Sequence, residues 1–172
     1  MIPTISTIRK CDTETVYRHS CRVPMNIDRQ MRFQPVDVEA MDSIWPILSL
    51  SPDRTCDFSY GGLLIWAPLL GYEYAIVHDT LFIRGRLEGD FSKNAFSLPV
   101  GKMPLHESIK MLSQWAAKHG EGLRLSAVPE HALPEIIAMY PRLVTELPDW
   151  ADYMYDINAL ATLSGKKMAK ET

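Results

Sequence analysis

Arg54-Thr-Cys-Asp-Phe-Ser-Tyr-Gly-Gly-Leu-Leu-Ile-Trp66, followed by Tyr72-Glu-Tyr-Ala-Ile-Val77, is a capped helix running into a strand. Asp57 and Ser59 are short polar residues that accept from the orphan N–H groups of a helix start. Leu63, Trp66 and Leu70 then fall on one helical side, and Gly71 suits the left-handed cap that ends a helix. Residues 72–77 alternate in the two-residue period of a strand. His78-Asp79 is a turn, and the return strand over 80–87 carries Leu81, Ile83 and Gly85 on one face.

Outward from this unit, Met31-Arg-Phe-Gln-Pro35 reads as a first short strand. Asp37 caps a helix whose apolar face is Val38, Met41, Trp45 and Leu48. Pro46 is expected to kink or split that helix, and Ser51-Pro-Asp53 is a turn. Beyond the hairpin, 88–90 is a loop and 95–100 a strand. Residues 104–119 form a helix with the stripe Leu105, Ile109, Leu112 and Ala116, closed by Gly120. Residues 122–128 read as a buried strand, and Pro129 opens a helix carrying Leu133, Ile136, Ile137 and Tyr140. Two last strands are expected at 143–147 and 150–155 with Pro148-Asp149 between them, and Ile157 begins a short helix.

Composition bounds the class. A chain of 172 residues suffices for one core-forming domain. Hydrophobic residues at 47% and charged residues at 23% are ordinary globular values. A net charge of -3 gives no molecule-wide footprint for nucleic acid. The apolar run over 61–71 is shorter than the roughly 20 residues of a bilayer span, so no stable membrane insertion is expected. The three cysteines, Cys11, Cys21 and Cys56, lack a CxxC pair, so neither a disulfide framework nor a zinc ribbon is expected, and a reducing cytoplasm fits. No histidine sits in HExxH and no metal site is expected. Residues 1–29 lack a hydrophobic period and are expected as a poorly ordered leader, 30–165 as the domain, and 166–172 as a polar tail.

The 54–66 run and the 72–77 strand, with Tyr153-Met-Tyr-Asp156 and Leu160-Ala-Thr-Leu-Ser-Gly-Lys-Lys167, resemble a soluble bacterial family. That family is related to the C-terminal domain of phosphatidylglycerol lysyltransferases, whose members carry tandem folds of the N-acetyltransferase (GNAT) type. The resemblance covers about 31–167, the N-terminal half of a typical member. It implies an α/β class: one GNAT-like domain with a mixed, mostly antiparallel sheet flanked by helices. The element order read from the pattern points the same way. It also implies an aminoacyl- or acyltransferase-like role that is not complete in this half. The partner would be a second GNAT-like half or another copy of the chain, and an aminoacyl-tRNA donor follows from the family analogy alone. The family often carries an asparagine near Gly62, where this chain has glycine.

An acyl-CoA enzyme of this fold uses a turn of the type Q/R-x-x-G-x-G/A before a helix, whose N–H groups hold the pyrophosphate. Here that segment is Leu98-Pro-Val-Gly-Lys-Met-Pro-Leu-His106, with one glycine and with Pro104 removing a donor. No acetyl-CoA or other cofactor is expected. Lys102 is read as a solvated lysine, with contact to a phosphate as the alternative. The candidate groove or anion-binding residues are Asp57, Tyr60, Trp66, Arg84 and Arg86. Asp57 is read first as a cap and Trp66 first as core. Arg84 and Arg86 share a strand face and can clamp an anion bidentately, or form a solvated edge with strand-mate carboxylates. Cys56 has no activating histidine beside it, and neither His106-Glu107 nor His78-Asp79 belongs to a catalytic motif. A non-catalytic binding or self-association module is the second reading.

Overall fold

The computed structural model describes residues 5–12, 27–53, 55–87, 89–140, 144–153 and 157–162. In chain order the elements are β1 (Ile5–Asp12), α1 (Ile27–Gln30), β2 (Gln34–Pro35), α2 (Met41–Leu48), α3 (Tyr60–Leu70), β3 (Glu73–Val77), β4 (Thr80–Leu87), β5 (Asp90–Phe96), β6 (Val100–Gly101), α4 (Leu105–Lys118), β7 (Arg124–Val128), α5 (Leu133–Met139), β8 (Val144–Tyr153) and α6 (Ile157–Thr162). Short 3-10 turns at Val38–Ala40, Cys56–Phe58 and Glu130–Ala132 lead into α2, α3 and α5. The strands form one mixed sheet in the order β2-β3-β4-β5-β7-β1-β8, with β6 beside β4. Its one parallel step is β5 to β7, with Phe96 opposite Leu125.

Local chemistry explains several starts and stops. The Asp37 carboxylate accepts from Ala40 N–H at 3.0 Å, and Ser59 Oγ from Gly62 N–H at 3.0 Å. Gly71 ends α3 at φ 60°, and Gly120 follows α4 at φ 71°. The β3–β4 hairpin closes through His78 and Asp79 at φ 49° and 55°, the two-residue left-handed turn that matches strand twist. Helices cover both faces of β4. A Cβ at Gly85 would lie 2.5 Å from the Tyr72 ring, just past the end of α3. On the opposite face, Arg84 and Phe96 meet Trp115 of α4. Thr80–Ile83 is therefore buried as a continuous run.

Several expectations are corrected. The stretch 1–29 is not simply a leader: Ile5–Asp12 pairs antiparallel with β7 and β8, filling the place between them. Its partners lie more than a hundred residues away in sequence, so no local period announces it. Residues 13–26 and the tail 163–172 lie outside the described residues. The first short strand is confined to Gln34–Pro35. The Val38–Ala40 turn and α2 together bury Ala40, Ile44 and Leu48 and expose Val38, Met41 and Trp45. Pro46 does not split it: the proline sits in the last turn, and Ser49 N–H closes onto Trp45 C=O at 3.0 Å. The strand expected at 95–100 begins at Asp90 and is interrupted at 97–99 before β6. The two final strands are one, β8, with a register shift against β1 between Ser6 and Ile8 that absorbs the Pro148 region.

Candidate functional site

After their single register pair, β5 and β7 part. The chain from Ser97 follows β4, with Ser97 N–H donating to Ile83 C=O at 3.0 Å, while β7 continues along β1. The parting is reinforced at Ala127, a non-glycine residue at φ 55° where the β1–β7 register shifts. A left-handed bulge residue of this kind is uncommon, and bulges gather beside functional sites. The carboxyl ends of adjacent parallel strands are where open α/β sheets place ligands.

A pocket of about 300 Å³ lies just past these strand ends, between the 98–105 segment and the start of α5, while Ala127 itself lines a narrower cleft. Leu98, Val100, Met103, Leu105 and Phe58 supply apolar walls, and the polar groups sit to one side as Asp53, His131 and Glu135. The Asp53 side chain is only 13% exposed. It accepts from Ser51 Oγ at 3.2 Å, and its other oxygen lies 3.5 Å from His131 Nδ1. A neutral His131 ring protonated at Nδ1, toward this carboxylate, would keep its lone pair on Nε2. Among the described residues no cluster of three His, Cys, Asp or Glu side chains is arranged to hold a metal ion.

The turn before α4 is not built as an anion cradle. Lys102 N–H donates to Asp79 C=O at 3.1 Å, and Met103 N–H to Thr80 Oγ1 at 2.9 Å. The Lys102 ammonium lies 3.0 Å from the Asp79 carboxylate with both side chains largely exposed, a solvated lysine with a surface partner. Gly101, at φ 148°, is needed for this contact: a Cβ would come within 2.3 Å of Asp79 O. The hairpin tip thus occupies the Lys102 and Met103 donors of this turn.

The candidate residues chosen from sequence do not form one groove. Asp57 and Arg86 line a common narrow cleft with Tyr72, Ser97 and Ser126. Only about 20 Å³ of it is open to the centre of a water molecule, room for water and not for a substrate. Arg84 is directed elsewhere: its Nε meets Glu73 at 2.8 Å, and its guanidinium lies 4.9 Å from the Trp115 ring centre and 5.4 Å from that of Phe33. Arg86 instead donates to Leu69 C=O at 3.5 Å. The two arginines therefore have different partners. Tyr60 is buried and its hydroxyl donates to Asp37 C=O. Burial first, and then the Asp37 carboxylate, push its pKa above 10.0. Trp66 is 43% exposed, not core. Gly62 is required sterically, since a Cβ there would lie 2.1 Å from Cys56 O.

Sequence reasoning missed Asp53, His131 and Glu135. Asp53 read as part of a turn. The available signal was His131 and Glu135 at i,i+4 directly after a buried strand.

No family model matches the chain, and no curated protein matches it. One solved structure does: a conserved protein of unknown function from Bacteroides thetaiotaomicron, 26% identical, with a TM-score of 0.71 over 82% of this chain and 47% of that one. The chain therefore spans about half the length of that protein. Among the described residues no helix is long and apolar enough to cross a membrane.

Proposed function

We propose that this chain is one GNAT-like half of a two-part cytoplasmic protein of the aminoacyl- or acyltransferase type, and that transfer requires the other half. The carrying observation is α3. Residues 60–71 contain no charged side chain, and Ile65, Leu69 and Trp66 stand 74%, 48% and 43% exposed. A helix that is apolar all round calls for cover on its outer side. The occupant is the second half-domain: the similar Bacteroides protein extends over about as much chain again beyond the match. The run of antiparallel strands into a single parallel step supports the GNAT-like reading. The Lys102 and Met103 N–H groups, already bonded to the hairpin tip, speak against a pyrophosphate in that turn, and the aminoacyl-tRNA donor rests on the family analogy.

A second reading, self-association, is favoured by the groove beside α3. Val38, Leu64 and Pro68 line it next to the Ile65–Leu69 ridge, so two copies can place ridge in groove reciprocally. Light scattering over a concentration series separates the two, run with and without the second half of a two-half relative expressed on its own. A hetero-complex supports the half-transferase and leads to assays with charged tRNA. A tight homodimer indifferent to the second half overturns it in favour of self-association. A monomer that ignores the second half overturns both.

A further inference from the structure

We propose that the pocket at the carboxyl ends of β5 and β7 binds a small amine with a compact apolar body, its head received by Asp53, Glu135 and His131. The division of the lining sets the shape of the ligand. The side chains of Phe58, Leu98, Val100 and Leu105 offer only carbon, while Asp53 of the 51–53 turn, His131 before α5 and Glu135 on α5 supply charge and polarity. At about 300 Å³ the pocket is at the lower end of the range for small-molecule sites, which limits the body to something the size of a phenyl ring or a short alkyl chain.

Charge sets the head group. Among the described residues the lining holds two carboxylates, Asp53 and Glu135, and neither lysine nor arginine. The nearest lysine in sequence, Lys102, is held by Asp79 on the hairpin tip. A carboxylate or phosphate head would meet repulsion, and a hydroxyl would leave both charges uncompensated. An ammonium carries three donors and no acceptor. It can bond Asp53, Glu135 and, on a neutral ring, Nε2 of His131. Asp53 carries most of the affinity, because a carboxylate largely withdrawn from water interacts more strongly with a cation than an exposed one does. The inference rests on this lining alone and stands whether or not a second half docks on α3.

The test is a two-dimensional amide NMR titration with three probes of one shape: 2-phenylethylamine, 2-phenylethanol and 3-phenylpropanoate. The amine is expected to shift residues 98–105 and 131–135 saturably. The alcohol should bind about tenfold more weakly, equivalent to about 1.4 kcal/mol, and the carboxylate should leave these resonances unmoved. Asp53→Asn is expected to weaken the amine about tenfold and to leave the alcohol unchanged. Glu135→Gln, on the exposed side of a short helix, should weaken it by a smaller factor and keeps the test alive if the Asp53 variant fails to fold. Equal binding of amine and carboxylate, shifts confined to other residues, or no saturable shift at about 10 mM amine would overturn the proposal.

Discussion

Tyr60 shows how one side chain couples two elements. Its ring is in the core and its hydroxyl holds the carbonyl of Asp37, the residue whose carboxylate caps the turn into α2. Tyr60→Phe removes the donor and leaves a carbonyl short of a partner, an expected loss of about 1 kcal/mol, read as a shift in the urea midpoint. The phenol's pKa is raised in the folded state, while an unfolded tyrosine ionises near 10. Its contribution is therefore complete below about pH 10 and is lost as pH rises through the folded value. Wild type should lose stability above that point more steeply than the Phe variant. Gly101 makes a second residue-scale case. Gly101→Ala sets a methyl against the Asp79 carbonyl in a backbone conformation that favours glycine. A cost of at least about 2 kcal/mol is expected in the same assay.

At the scale of elements, α2 separates what spacing can and cannot say. Val38, Met41 and Trp45 share a helical spacing, and so do Ala40, Ile44 and Leu48; the second set is buried. Both are apolar stripes, so periodicity alone does not choose between them. The choice is made by the 3-10 turn at Val38–Ala40, which changes the phase before α2 begins, and by the β4 surface beneath. Ile44→Ala is expected to cost about 2–5 kcal/mol by opening a cavity, whereas Val38→Ser should stay within about 0.5 kcal/mol. Thermal unfolding of the pair checks which stripe faces in. The same limit applies to Trp66, whose place on an apolar helix read as core. In α3 nearly every position is apolar, so the sequence carries little information about which side is covered.

At the scale of the whole molecule, the uncovered side of α3 and the parted β5–β7 step are the features with functional content. Ile65→Lys combined with Leu69→Lys places charges on the exposed ridge. The double variant is expected to keep the wild-type melting temperature within a few degrees, since neither side chain belongs to the core cluster. It should abolish hetero-complex or homodimer formation in light scattering; association unchanged by two buried charges would mean that another face is used.

The legible part of this protein is its local part. The caps at Asp37, Ser59, Gly71 and Gly120, the His78-Asp79 hairpin, the α4 stripe and the buried β7 run depend on residues a few positions apart, so the amino-acid order determines them directly. The α/β class with its mixed sheet follows from their succession. Tertiary structure alone decided the rest. Ile5–Asp12 is a strand because β7 and β8 offer it backbone partners. Arg84 and Arg86 part because Glu73 and the Trp115 ring capture one, while the Leu69 carbonyl engages the other. Asp53 and His131 meet because the sheet brings a turn before α3 to the carboxyl end of β7. The β1 pairings, the Arg84–Trp115 contact and the meeting of Asp53 with His131 join segments far apart in the chain, whereas Glu73 faces Arg84 through the local hairpin register. No hydrophobic period or motif encodes the distant pairings, and only packing the segments against one another brings those groups together.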